Sequence, residues 1–308
     1  DWSQIGSDID GERSGDQSGF SVSFSDNGNY VAIGANANDD GGNRAGHVRV
    51  FENIDNNWVQ VGDDIDGGDA GDESGYSVSL SGDGKVIAIG APYWDDSGNG
   101  YWNGQVRVFS QVGGNWTQVG QEIVAANTYE NLGTAVAMSE DGSILAVGAS
   151  NGGGNTGKVR VFQNSSGSWV QLGVDLGQEA TLLNVGLGES VALSDDGMTL
   201  AVGASYGGGG SIGSTFVFKW DGQWSLEGAE VVGAGLGQST SRYASTAISS
   251  NGKTVALGVP GLQARGGVKV FEVIVDAFPL DANESIDSDG DGVGDNGDVF
   301  PLAANETI

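Results

Sequence analysis

Short apolar runs return along the chain at a nearly constant interval. The run VAIGA (31–35) is followed by IAIGA, LAVGA, LAVGA and VALGV, whose glycines are Gly34, Gly90, Gly148, Gly203 and Gly258. A second run, GHVRVF, and a tryptophan four residues before a glycine keep the same order and the same period. Three such features in fixed order, with strand-like segments only, predict a solenoid or a propeller.

Each unit reads as four short strands, and the strands have a large face and a small face. In the second unit the strands are GYSVSLS (75–81), KVIAIGA (85–91), QVRVFS (105–110) and NWTQVG (115–120), and a GDG turn joins the first two. Large residues alternate with serine in GYSVSLS, which puts them on opposite faces. Stacked blades need a large face against a small one. We therefore predict an all-β, five-bladed β-propeller of four-stranded blades over residues 1–273.

The fourth strand is out of phase with the other three. Trp2–Gly6 precedes the first unit, whereas the last unit ends at Phe271 with no tryptophan strand after it. We expect the N-terminal strand to close the last blade, which removes an exposed edge. The alternative is that this strand docks into a neighbouring molecule and builds a polymer.

The repeated motifs resemble a known family. GYSVSLS, IAIGAP (87–92) and GQVRVF are similar to the FG-GAP repeats of integrin-α-like propellers, and the resemblance extends over residues 1–273. Family members carry an Asp-rich calcium loop between the first two strands. This chain has only a short Asp-Gly or Asn-Gly turn there, so no calcium site is expected in these hairpins.

Residues 274–308 differ in kind from the repeats. An acidic loop, DSDGDGVGDNGD, begins at Asp287, and segments with the pattern DxFPLxANE flank it. Hard calcium ions take six to eight oxygen ligands from such loops. This acidic tail resembles thrombospondin type 3 repeats and is predicted to bind calcium, the alternative being a solvated acidic linker. The expected ligands are Asp287, Asp289, Asp291, the Val293 carbonyl, Asp295 and Asp298.

The loop PYWDDSGNGYWNG (92–104) is the candidate ligand site on the propeller rim. Exposed aromatic rings beside carboxylates grip sugar rings by stacking and hydrogen bonding, although such rings also cap blade edges or partner surfaces. The candidate residues are Tyr93, Trp94, Asp95, Asp96, Tyr101 and Trp102.

We expect the other polar residues of the repeats to have structural roles. The acidic connections around Asp8 and Asp64 are either cation sites or, as we expect, solvated turns. The basic residue that recurs in the third strand, for example Arg49 and Arg107, indicates a structural ion pair. His47 is the only histidine, so the sequence predicts no histidine-based metal set.

Charge and composition exclude several classes of binding partner and of structure. The 308 residues include 12 Lys and Arg against 41 Asp and Glu, a formal net charge of −29. This balance argues against nucleic acids and anionic membranes as partners. No apolar stretch approaches the length of a membrane span, and the absence of cysteine excludes disulfides.

We therefore expect a secreted or cell-surface module, part of a longer protein, that binds a glycan or an extracellular protein and does not catalyse. A structural subunit that self-assembles into a filament or layer is the first alternative. A glycosidase is the second, and it requires two carboxylates in a central funnel. The innermost predicted strands offer only Glu189 as a charged residue.

Overall fold

The structure of the chain is a computed structural model. The structure describes residues 2–95, 101–151, 157–177, 186–204, 214–228, 231–232, 245–259 and 267–273. Asp1–Phe271 form one compact unit. Its described residues build five antiparallel sheets and no α-helix, so the predicted all-β class is confirmed. Across these ranges the structure therefore holds no helix long and apolar enough for a membrane crossing.

The first two sheets each contain three strands in hairpin order, and two further strands, of four and two residues, pair with the third. Their strands are β1 (Ser21–Phe24), β2 (Tyr30–Ala35), β3 (His47–Ile54), β4 (Asn57–Gln60), β5 (Ile65–Asp66), β6 (Ser77–Leu80), β7 (Val86–Ala91), β8 (Gln105–Val112), β9 (Asn115–Gln118) and β10 (Ile123–Val124).

The remaining sheets follow the same plan, and the fifth contains three strands. Their strands are β11 (Leu132–Met138), β12 (Ile144–Ala149), β13 (Lys158–Ser165), β14 (Ser168–Gln171), β15 (Leu187–Leu193), β16 (Thr199–Ala204), β17 (Ser214–Trp220), β18 (Trp224–Leu226), β19 (Val231–Val232), β20 (Ser245–Ile248), β21 (Thr254–Val259) and β22 (Gly267–Glu272).

The turn between the first two strands of each sheet is fixed by one serine. In the first sheet the Ser25 hydroxyl donates to Asn27 Oδ1 at 2.9 Å and accepts the Tyr30 N–H at 2.9 Å. Gly28 adopts a φ of 69°, which favours glycine. The same serine arrangement recurs in the other four turns, at Ser81, Ser139, Ser194 and Ser249.

Consecutive sheets pack the small face of one against the large face of the next. Val48 and Val50 of the first sheet share a buried cluster with Val78, Leu80 and Phe109 of the second. Equivalent clusters join the second sheet to the third and the third to the fourth. The alternation of large and small residues along the strands therefore determines how consecutive repeats pack.

The glycine of the VAIGA run marks the closest approach between repeats. A Cβ on Gly148 would lie 2.0 Å from the Gly188 carbonyl oxygen of the next repeat, and one on Gly90 would lie 2.2 Å from that of Gly133. No side chain fits there without moving backbone. Hydrogen bonds between the inner turns continue the contact, since the Asp26 N–H donates to Gly82 and the Gly82 N–H to Glu140.

The recurring tryptophan also joins neighbouring repeats. Trp116 Nε1 donates to the Val61 carbonyl of the preceding repeat at 2.9 Å, and Trp58 Nε1 donates to the Ile5 carbonyl at 3.0 Å. Residues 2–6 therefore occupy, on the first repeat, the place that the end of each fourth strand takes on the next repeat.

Residues 2–6 nevertheless form no strand, which differs from the sequence prediction. A strand needs a hydrogen-bonding neighbour, and the described residues of the fifth sheet pair only with one another. Trp2 is fully exposed.

Candidate functional site

Six aromatic rings from three consecutive repeats meet at one edge of the sheets. At this edge the first and third strands of each sheet begin. We call this set the aromatic cluster. Neighbouring ring centroids are 5.0 to 6.3 Å apart, the range of favourable aromatic pairs. The cluster contains Phe20, Tyr76, Tyr93, Tyr101, Trp102 and Tyr129.

Four of the five ring pairs of the cluster meet edge to face, and several of the rings are open to solvent. Tyr93 and Trp102 are 5.6 Å apart at 88°, and Trp102 and Tyr129 are 6.3 Å apart at 89°. Tyr101, Trp102 and Tyr129 are each nearly half exposed, at 44%, 46% and 44%. An exposed, pre-formed row of rings is unusual on a surface that has no partner.

The backbone under these rings is the standard backbone of the repeat. The Tyr129 N–H donates to the Tyr101 carbonyl at 2.7 Å, and the Asn131 N–H donates to that of Trp102 at 3.3 Å. One repeat earlier, the Gly71 N–H donates to the Asn43 carbonyl at 2.9 Å in the same way.

The aromatic side chains are therefore additions that the fold does not require. Aligned on these hydrogen bonds, Tyr101 stands where the preceding repeat has Asn43, and Tyr129 stands where it has Gly71. By the same register Trp102 replaces Arg44.

One cluster residue, Tyr129, adds backbone strain that the preceding repeat avoids. Tyr129 has a φ of 60° where Gly71 has 92°, whereas the positive φ of Trp102, 26°, has its counterpart in Arg44 at 54° and belongs to the repeat. Such conformations cost non-glycine residues on the order of 1–3 kcal/mol and concentrate at functional sites.

A network of buried charged side chains anchors the loop that contains Tyr129, through the adjacent residue Glu130. The Glu130 side chain is fully buried, and Lys158 Nζ lies 2.7 Å from its carboxylate, with Arg160 Nη2 at 3.3 Å. Burial opposes ionisation of the neighbouring Asp175. Hydrogen bonds from Arg160 and Gln171 and the charges of Arg160 and Lys158 outweigh burial, so the pKa of Asp175 is lowered.

The structure brings together some of the predicted ligand residues. Tyr93, Tyr101 and Trp102 lie in the cluster. Asp95 instead accepts the Tyr101 N–H at 3.0 Å, and the Trp94 carbonyl accepts the Gly104 N–H at 3.0 Å, so both support the loop. Asp96 and the acidic tail, with its six expected calcium ligands, lie outside the described residues.

Sequence reasoning missed Phe20, Tyr76 and Tyr129. Tyr76 was read only as a large-face residue of a first strand, and Phe20 precedes the equivalent strand of the first repeat. Tyr129 stands alone in a polar connection, and the signal for it is its alignment with Gly71 of the preceding connection.

Two equivalent pockets lie beside the recurring basic residue. In the first, of about 300 Å³, Arg49 stacks over Phe51 at 5.4 Å and donates to the Asp10 carbonyl at 2.7 Å. In the second, of about 330 Å³, Arg107 donates to the Asp66 carbonyl at 2.6 Å. Both arginines therefore anchor the preceding connection, a structural role made mainly through backbone carbonyls.

Comparisons with known proteins agree with this repeat organisation. Residues 66–109 match the family model of the FG-GAP repeat. No curated protein matches the chain. Similar solved structures include Kuenenia stuttgartiensis hydrazine synthase, at 15% identity and a TM-score of 0.56, covering 83% of this chain and 64% of that one. TolB from Acinetobacter baumannii, also at 15% identity, has a TM-score of 0.47 and coverages of 81% and 53%.

The chain thus spans less than two thirds of the length of either structure. At this identity the likeness to hydrazine synthase concerns the fold alone. Together with the FG-GAP match, it supports a propeller-like array of repeats.

Proposed function

We propose that this chain is a non-catalytic binding module of the cell exterior that recognises a neutral glycan through the aromatic cluster. The observation that carries the proposal is the replacement of Asn43, Arg44 and Gly71 of one repeat by three exposed rings in the next, on an unchanged backbone. The ring faces supply stacking surface for the apolar faces of sugars. The net charge of −29 disfavours acidic glycans.

A closed five-bladed ring is part of the proposal. Val22 and Phe24 are exposed on the first sheet, and Val268 and Val270 are exposed on the fifth. The residues at the same register in the second repeat and in the first three repeats are among the buried core. If the fifth sheet packed on the first sheet of the same chain, both exposed faces would be buried.

The same two faces favour a second candidate function. Packed between molecules, they would make a head-to-tail assembly and a structural subunit of a surface layer, since heterologous contacts generate chains.

Calcium binding by the acidic tail completes the proposal. The loop spacing from Asp287 to Asp298 supports it, and bound calcium would stiffen a segment whose carboxylates otherwise repel one another.

The glycan proposal is tested by restoring the residues of the preceding repeat. The variant Tyr101→Asn/Trp102→Arg/Tyr129→Gly keeps the backbone but removes three rings. Losing stacking worth about 0.5–1.5 kcal/mol per ring should weaken binding by roughly tenfold or more. Binding is measured on immobilised β-glucan, mannan and arabinan oligosaccharides, with Trp2→Ala as the control for an exposed ring outside the cluster. Equal binding by the triple variant, or no binding by the natural chain, would contradict the proposal.

Ring closure is tested with the variant Val22→Cys/Val270→Cys in this cysteine-free chain. The corresponding residues of the first two repeats, Val78 and Val50, lie in one buried cluster, so closure brings the cysteines together. Under oxidation we expect a monomer with an internal crosslink, seen by mass spectrometry and light scattering. Crosslinked multimers would favour the layer subunit instead.

The calcium proposal is tested by calorimetric titration of the full chain. Asp289→Asn/Asp291→Asn removes two carboxylate charges from one loop, so we expect the Ca²⁺ affinity to fall by tenfold or more while the repeats stay folded. Asp281→Asn, outside the loop, is the matched control. An unchanged titration of the double variant would refute the tail site.

A further inference from the structure

His47 begins strand β3 and carries a buried nitrogen without a partner. Its side chain is 1% exposed, and Nδ1 makes no hydrogen bond. The closest carboxylate oxygen, Asp64 Oδ2, lies 3.6 Å away, beyond hydrogen-bond distance. Leaving a buried polar atom unsatisfied costs roughly 1–3 kcal/mol, so this nitrogen requires another partner.

The following repeats fill the same position with hydrogen-bond donors. In the second repeat Gln105 aligns with His47, and its amide donates to Glu122 at 2.9 Å. In the third repeat Lys158 stands there, and its ammonium lies 3.3 Å from Asp175 Oδ2. Glu122 and Asp175 align with Asp64, so the repeat pairs a carboxylate with whatever begins the third strand.

The first repeat adds a second carboxylate to this pair. The ligand atoms of Glu12, His47 and Asp64 lie within 4.8 Å of one another. Gln60 Nε2 donates to Asp64 Oδ1 at 2.6 Å, which orients the carboxylate in the way that outer-shell groups orient metal ligands.

We propose that Glu12, His47 and Asp64 bind a divalent first-row transition ion of the zinc class. One imidazole and two carboxylates suit such an ion, with water completing the coordination, whereas calcium takes oxygen ligands. The two carboxylates balance the charge of the ion. Arg49 Nη1 lies 3.8 Å from Glu12, and Arg49 Nη2 donates to the Asp10 carbonyl at 2.7 Å.

The site has a mechanical consequence that is independent of glycan binding. Glu12 belongs to the connection before the first repeat, and Asp64 belongs to the connection after it. A bound ion would therefore join two connections across the start of β3, as Lys158 joins Glu130 to Asp175 in the third repeat.

The test uses the full chain and Zn²⁺ in excess Ca²⁺, which saturates sites built from oxygen alone. Because the chain has one histidine, a nitrogen NMR spectrum of the imidazole reports this ring without ambiguity. We expect its signals to shift saturably with Zn²⁺ at one equivalent and to stay unchanged with Ca²⁺ alone. Zn²⁺ should also raise the thermal unfolding midpoint of the natural chain.

His47→Gln and His47→Lys reproduce the second and third repeats at this position and are therefore expected to fold. Both should lose the Zn²⁺-dependent rise in unfolding midpoint and weaken Zn²⁺ binding by more than about tenfold, since even outer-shell losses cost roughly 10–100-fold. Asp64→Asn should act likewise, whereas Asp8→Asn, at the corresponding position of the preceding connection, should not. An imidazole spectrum indifferent to Zn²⁺, or undiminished Zn²⁺ binding by His47→Gln, would overturn the proposal.

Discussion

The structure depends on the close approach of one repeat to the next. The carbonyl of a first-strand glycine, such as Gly188, sits against the second-strand glycine of the preceding repeat, Gly148, with no room for a Cβ. This contact sets the separation at which small-face valines meet large-face residues, and it fixes the spacing of the tryptophan and inner-turn hydrogen bonds. Each repeat buries its faces only against its neighbours, so stability is shared along the array.

A backbone held in this way leaves the connections at its edge free to vary. Where the first pair of repeats places Asn43, Arg44 and Gly71, the next pair places three exposed rings on the same hydrogen bonds. Where the second and third repeats place Gln105 and Lys158, the first places an imidazole. The proposed glycan and metal sites are thus substitutions at equivalent positions, which is how repeat folds acquire function without changing architecture.

The sequence predicted the all-β class, the strand hairpins and the alternation of faces, because period and turn chemistry are local. It did not predict the aromatic cluster as a whole. Tyr129 is far in sequence from Trp102 and meets it only because the fourth-to-first connection of one repeat lies beside the second-to-third connection of the other. His47 was set aside for the same reason: its carboxylates come from connections on either side of its own repeat. The strand expected at residues 2–6 was read from its motif, yet strand formation requires a partner edge that the motif does not supply.

If binding lies in the added rings and not in the scaffold, transplanting the rings to another repeat should create a second binding site. The variant Asn43→Tyr/Arg44→Trp/Gly71→Tyr places the three rings one repeat earlier. Calorimetry with the oligosaccharide that the natural chain binds should then give two sites per chain in place of one. A folded variant that still binds one equivalent would show that the rings do not suffice and that recognition depends on features of the second and third repeats alone.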